Sequence, residues 1–221
     1  LNGKPDTCEE TSLSALTAAR GSGREITIVN GFATSDDLPL HEGDEIYFIP
    51  KDRLPPRDAL EAMMCSRHTP RVHHKVRAGH VAICGLGGLG SNAAIYLART
   101  GVGHLHLLDF DTVDASNLNR QSYMIRDLGA YKTDALERQI RDINPFIDVR
   151  TDCVRLTEEN APRLLQDDWI ICEAFDNPDA KTMLVYTILE QCPDKYIVSA
   201  SGMAGYGDRN DIQTKKITSH F

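Results

Sequence analysis

The sequence predicts an α/β protein whose larger part is a doubly wound, mainly parallel sheet, preceded by a smaller β-rich module. Three observations carry this. Short apolar runs alternate with helix-length stretches from residue 81 to residue 199. A glycine-rich turn, Gly85-Leu86-Gly87-Gly88-Leu89-Gly90, joins the first such run to the first such stretch. A segment holding three prolines and four charges, residues 50–57, sets these elements apart from the first quarter of the chain.

Each element follows from its residues. Residues 11–20 read as a helix, with Thr11 or Ser12 as N-cap, Leu13, Leu16 and Thr17 on one face, and Gly21-Ser22-Gly23 as the stop. Residues 26–29 form a strand, Asn30-Gly31 a turn, and residues 45–49 a further strand. Read as strand, helix, strand, turn, strand, this order suits a small β-grasp module over residues 1–50. Residues 51–64 then read as a linker, and residues 65–221 as the main domain. There, strands are expected at 81–84, 104–108, 149–153, 169–172 and 196–199, with helices at 91–100, 131–144, 158–166 and 180–191. Strands that are apolar throughout fit a parallel sheet, because helices cover both of its faces.

Composition narrows the function. The hydrophobic share of 41% and charged share of 25% are those of a globular protein. A net charge of -8 argues against a broad nucleic-acid-binding face. An anionic ligand must then be held by a few placed cations and backbone amides. No apolar run approaches the roughly 18 residues of a membrane helix, and the first residues lack a secretory-signal pattern. The chain begins at Leu1 rather than Met, so native residues are expected to precede it. The six cysteines form no CxxC pair. They fit a reducing cytosol and hence a cytoplasmic location, and no zinc is expected. His68, His73, His74 and His80 show no metal-ligand spacing either.

The glycine turn is GxGxxG in the context that gives it meaning, after a strand and at the start of a helix. Glycines let the backbone approach phosphate oxygens, and the helix N-terminus adds partial positive charge. Nineteen residues after Gly90 stands Asp109, at a strand's carboxyl end, where an acid accepts both ribose hydroxyls. This Rossmann-like arrangement indicates an adenosine nucleotide without saying which.

Downstream residues favour ATP over NAD. Asp111 continues an acidic run, and Ser116-Asn117-Leu118-Asn119-Arg120-Gln121 supplies donors and a cation. Lys132 adds a second cation, as a triphosphate requires. Asp176 follows the strand at 169–172, where ligands sit in such sheets. A carboxylate beside a triphosphate suits magnesium. Taken singly, Arg120 and Lys132 read as solvated surface charges sooner than as functional groups, and residues 176–179 read equally as a turn and helix cap. The ordered set carries the reading.

These residues resemble a known family. ICGLGGLGS at 83–91, LLDFDTV at 107–113, SNLNRQ at 116–121, GAYK at 129–132 and FDN at 175–177 are similar to ThiF, MoeB and the adenylation domains of ubiquitin-activating enzymes. The resemblance covers about residues 65–205. It implies ATP-dependent adenylation of the C-terminal glycine carboxylate of a small β-grasp sulfur carrier ending in Gly-Gly, with release of pyrophosphate. Carried over by motif, Gly85, Gly87, Gly88 and Gly90 cradle the nucleotide. Asp109 holds the ribose with Asp111 close by, Asn117, Arg120, Gln121 and Lys132 serve the phosphates, and Asp176 holds Mg2+. The family also implies a homodimer whose partner subunit supplies an arginine upstream of the first strand. Arg67 is preferred to Arg71 for that place.

The first 50 residues resemble ThiS, through IVNG at 28–31 and HEGDEI at 41–46. The association points to thiamine biosynthesis. This module runs on into Pro50-Lys51-Asp52 and has no free Gly-Gly end, so it is not expected to be the substrate. No reactive cysteine is placed after Asn177, since Cys192 beside Pro193 reads as structural, and covalent sulfur transfer through this chain is not expected. Two other readings stay open: an NAD-dependent oxidoreductase on the same fold, and a non-catalytic relative whose fused module fills the carrier groove.

Overall fold

The computed structural model describes residues 1–221 apart from 3, 22, 24, 52, 53, 66–69 and 201–212. Arg67 lies outside the described residues. The chain divides into two compact units, Leu1–His74 and Lys75–Phe221.

In the first unit, α1 (Leu13–Arg20) starts where the Ser12 hydroxyl accepts the Ala15 N–H, and it ends at Gly21. Three antiparallel strands follow: β1 (Glu25–Val29), β2 (Phe32–Thr34) and β3 (Ile46–Pro50), in the order β2-β1-β3. Asn30 and Gly31 both have positive φ, 51° and 86°, the geometry of the two-residue hairpin turn that matches strand twist. That turn leads directly into β2, which the residue pattern had not shown. Leu13 and Leu16 pack on Val29, Ile46 and Phe48.

The expected leading strand is absent: among the described residues no strand precedes α1. Residues 1–10 hold Pro5, Asp6 and two adjacent glutamates, with no apolar alternation to bury. Leu1 packs on the core beside β3, and Asn2 bonds to that strand: its N–H donates to Ile46 O (2.7 Å) and its Oδ1 accepts the Phe48 N–H (2.8 Å).

Residues read as linker contain α2 (Arg57–Cys65), and α3 (Pro70–Arg77) follows. Behind Pro55-Pro56 the run Ala59-Leu60-Glu61-Ala62-Met63-Met64 is made of strong helix formers. An Arg57–Glu61 pair at 2.9 Å, one turn apart, supports it.

The second unit alternates throughout: β4 (His80–Cys84), α4 (Gly88–Thr100), β5 (His104–Leu108), α5 (Lys132–Ile143), β6 (Asp148–Asp152), α6 (Ala161–Leu164), β7 (Ile170–Glu173), α7 (Pro178–Gln191) and β8 (Tyr196–Ser199). All five strands are parallel, in the order β6-β5-β4-β7-β8. Side chains on β4 alternate between two apolar cores. Val81 and Ile83 join Ala94 and Ala98 of α4 and Leu136 and Ile140 of α5. Ala82 and Cys84 join Leu164 of α6 and Leu184 and Ile188 of α7. Both faces of the sheet are thus covered, which explains the unbroken apolar strands.

The helix expected at 158–166 shrinks to the single turn of α6. Thr157 and Asn160 capture each other's backbone: the Thr157 N–H donates to Asn160 Oδ1 (2.8 Å) and the Asn160 N–H to Thr157 Oγ1 (3.3 Å). These local bonds compete with helix and delay its start to Ala161-Pro162.

From β4 the chain winds outward through β5 to β6, then returns to place β7 on the other side of β4. The loops after β4 and β7 therefore part at the carboxyl end of the sheet and leave a crevice where α/β proteins bind ligands.

Candidate functional site

The glycine turn fills one side of that crevice, and its glycines have separate reasons to lack a side chain. Gly85 has φ 94°, and a Cβ there would stand 2.8 Å from the Phe175 ring and 3.0 Å from Ala174 O. A Cβ on Gly90 would overlap Gly85 O at 1.8 Å, so α4 is pressed against the turn. Gly87 is the N-cap of α4 and has open space where a Cβ would point. Among the described residues no side chain caps this helix start, which leaves its first N–H groups for an anion.

Asp109 braces the turn from β5. It is 9% exposed, and its Oδ2 accepts the Leu86 N–H (2.6 Å) while Oδ1 accepts the Asp111 N–H (2.8 Å). Each oxygen keeps a lone pair for a further donor. Lys132, 6% exposed, places Nζ 2.8 Å from Asp111 Oδ2 and 4.0 Å from Asp109 Oδ2. A buried ammonium at the first turn of α5 is opposed by that helix's dipole, and the two carboxylates offset this. The Tyr123 hydroxyl donates to Leu86 O (2.8 Å). Burial, then the charges of Asp109, Asp127 and Asp111, push its phenol far above the usual range, so it remains a donor.

The loop bearing Arg120 is stitched to the start of α4. The Ser122 N–H donates to Ser91 Oγ (3.1 Å), the Ser122 hydroxyl to Asn92 Oδ1 (2.8 Å), and Asn92 Nδ2 to Arg120 O (3.0 Å). Arg120 Nη1 donates to Ser116 O (3.1 Å) and Asn119 Oδ1 (3.0 Å), which holds the exposed guanidinium in place. Gln121 is 9% exposed, and its Oε1 has no hydrogen-bond partner among the described residues. A buried acceptor left over at the wall of a cleft is what a bound donor would satisfy.

The crevice measures about 540 Å³, a size suited to a small-molecule ligand. It brings together Gly85, Gly87, Gly88, Asp109, Asp111, Arg120, Gln121, Lys132 and Asp176. Gly90 and Asn117 stand apart from this lining. Gly90 serves the close packing of α4. Asn117 Oδ1 accepts the Asp114 N–H (3.0 Å) and closes a 3-10 turn. Asp176 is exposed and makes no hydrogen bond or ion pair among the described residues, whereas Asn177 Oδ1 caps α7 by accepting from Asp179 and Ala180. A free carboxylate that faces a phosphate-sized space beside a glycine turn has the donor chemistry of a Mg2+ ligand.

Several lining residues escaped sequence reasoning. Arg155 reaches across to the Phe110 ring, with Cζ 5.6 Å from the centroid, and Val154 and Leu156 lie beside it. No motif flags Arg155, which follows a weak strand. Lys181 also lines the cleft, and it was findable, being one helical turn beyond Asn177 on the same face. Cys84 is fully buried and Cys172 half-buried, and desolvation pushes both thiols above the usual range, so neither is a poised thiolate.

The chain matches the ThiF family over residues 61–218 and ThiS-like ubiquitin over residues 1–52. It is 32% identical over 199 residues to the adenylyltransferase and sulfurtransferase uba4 of Emericella nidulans, covering 90% of this chain and 39% of that protein. With the protein of the same name from Aspergillus fumigatus it shares 38% identity over 134 residues, 60% of this chain and 27% of that protein. The chain therefore spans well under half the length of these relatives. Among solved structures, E. coli tRNA N6-threonylcarbamoyladenosine dehydratase, TcdA, in complex with AMP has a TM-score of 0.63 at 28% identity, covering 68% of this chain and 61% of that one. Its complex with ATP gives 0.62 at the same identity, covering 68% and 62%. Because the family match takes in the whole parallel sheet and the entire lining of the cleft, the chain belongs to the ThiF family.

Proposed function

We propose that this chain is an ATP-dependent adenylyltransferase of the ubiquitin-activating type, which acts on the C-terminal glycine carboxylate of a small ubiquitin-like sulfur carrier. One observation carries the reading: residues far apart in sequence, Arg120, Lys132 and Asp176, meet at the mouth of one phosphate-sized glycine turn. The AMP and ATP complexes of TcdA support the nucleotide, and the relatives' names support the transfer.

A carboxylate oxygen of the carrier attacks the α-phosphorus of ATP. The bond from that phosphorus to the bridging oxygen breaks, and pyrophosphate leaves with the electron pair. The chain's part is placement and charge neutralisation rather than covalent catalysis. Asp109 accepts ribose hydroxyls, the amides at Gly87 and Gly88 take phosphate oxygens, and Arg120 and Lys132 offset the negative charge of the nucleotide. Asp176 would hold Mg2+, which supplies further neutralisation of the phosphates. Phe110 and Arg155 offer the base a flat, cationic wall, with Val154 and Leu156 as its apolar edge. Phe110→Ala is therefore expected to weaken AMP and ATP alike, by about 5- to 50-fold, in a titration of each nucleotide.

The finer parts of the proposal rest on resemblance. The domains are taken as 1–50, a linker at 51–64, and 65–221. The active form is a cytoplasmic homodimer to which the partner's counterpart of residue 67 lends a cation. The carrier ends in Gly-Gly, no zinc takes part, and the ThiS-like module points to thiamine biosynthesis. ATP–pyrophosphate exchange with candidate carriers tests the whole. Exchange is expected only with a carrier bearing a free Gly-Gly end, and Arg120→Ala should lower it by about 10²- to 10³-fold without moving Tm. Binding of NAD in preference to ATP would overturn the proposal.

A further inference from the structure

Glu173 is the last residue of β7 and is fully buried. A carboxylate without solvent is costly unless it is paired and hydrogen-bonded. Three donors meet it. Its Oε1 accepts the Phe175 N–H (2.7 Å), and its Oε2 accepts both Lys181 Nζ (2.5 Å) and the Ser199 hydroxyl. Ser199 is its register partner at the end of β8, so Glu173 also ties the tips of two neighbouring strands.

Two of these bonds act on the cleft. The bond to Phe175 fixes the backbone just past the strand, where the Phe175 ring lies against Gly85 and Asp176 reaches the cleft. The bond to Lys181 spends one of three ammonium donors and leaves the side chain, 20% exposed, in the cleft wall. Position in the sheet decides which part of a nucleotide these groups meet. The ribose-side acid Asp109 follows β5, the glycine turn follows β4, and Asp176 and Lys181 follow β7. With strand order β5-β4-β7, a nucleotide that enters ribose-first at β5 and lays its first phosphate on the turn extends its outer phosphates toward β7.

We propose that Glu173 is a positioning residue which holds Lys181 as a ligand for the outer phosphates of a nucleoside triphosphate, and Asp176 as the carboxylate facing their divalent cation. This rests on the adenylation reading and deepens it. It separates two nucleotides: a monophosphate ends at the glycine turn and does not reach Lys181, whereas a triphosphate does.

Titration calorimetry of the full chain with AMP, and with ATP plus magnesium chloride, tests this. Glu173→Gln keeps the shape but puts an amide donor among donors. Lys181→Met removes the cation, and Lys181→Arg keeps it. The first two are expected to weaken Mg-ATP by about tenfold or more, the loss of a charge-assisted contact. They should leave AMP within about threefold of wild type, and Lys181→Arg should recover most of the ATP affinity. A purely structural Glu173 would weaken both nucleotides together or spare both, and either result overturns the proposal. If Glu173→Gln does not fold, the Lys181 pair decides alone, with retained AMP binding as its internal control. A wild-type chain that binds neither nucleotide sinks the adenylation reading itself, whereas one that binds both while every variant keeps the wild-type ratio sinks only this inference.

Discussion

Gly90→Ala is expected to cost about 3 kcal/mol or more and to lower Tm by roughly 6–12 °C, whereas Gly87→Ala leaves the fold and removes nucleotide binding. The two positions lie three residues apart on one turn, yet a methyl group meets opposite surroundings. At Gly90 it collides with a backbone carbonyl at 1.8 Å, which cannot rotate away as a side chain would. Relief requires α4 to lift off the end of β4, and that exposes Ala94 and Ala98, which are fully buried between helix and sheet. At Gly87, with φ -76° and nothing within 4 Å among the described residues, alanine is sterically free, and its stability cost at an N-cap is about 1 kcal/mol or less. The same open space is where a phosphate must approach the backbone. Thermal unfolding and AMP titration on the two variants read the two effects separately. Should Gly87→Ala bind AMP as the wild type does, no phosphate sits on this turn.

This contrast also shows what the sequence could disclose. Gly85 to Gly90 were legible because strand, turn and helix each leave a local imprint, and their spacing permits one geometry. The sheet was legible for the same reason: every strand of the second unit was located to within a residue or so, the central β4 by an apolar run that burial on both faces requires, and the polar edge strand β6 by its place between two helices. Residues whose position depends on distant partners were not legible. Asn117 sits in a motif rich in phosphate-binding residue types, yet its amide is occupied by the Asp114 N–H, a bond visible only once the loop is folded. Arg155 lies outside every motif and enters the cleft because parallel pairing of β6 with β5 brings the two strand ends side by side. Glu173 falls just past the strand expected at 169–172, and nothing local marks it. Its significance comes from Ser199 and Lys181, which topology brings to it. Local pattern thus reveals the cradle, and tertiary pairing supplies much of its charge.

Asp176→Ala is expected to lower the turnover of carrier-dependent exchange by about 10²- to 10³-fold, with a change in the apparent KM for ATP of no more than about threefold. The asymmetry follows from its surroundings. Asp176 is exposed and bonded to nothing among the described residues, so its removal leaves no buried donor unsatisfied, and Tm should stay within about 2 °C. The helix start beside it is capped by Asn177, which the substitution does not touch. On the proposed reading, ground-state nucleotide binding is shared among Asp109, Gln121, the glycine amides and the cations, so one carboxylate contributes little to it. As the bond to the bridging oxygen breaks, charge accumulates on the departing pyrophosphate, and a carboxylate that places a divalent cation there matters most at that moment. The rate should therefore respond to magnesium less steeply in the variant than in the wild type. Steady-state exchange measured across magnesium and ATP concentrations distinguishes the cases. Retained turnover removes Asp176 from the chemistry, and a loss confined to KM makes it a contact of the resting complex instead.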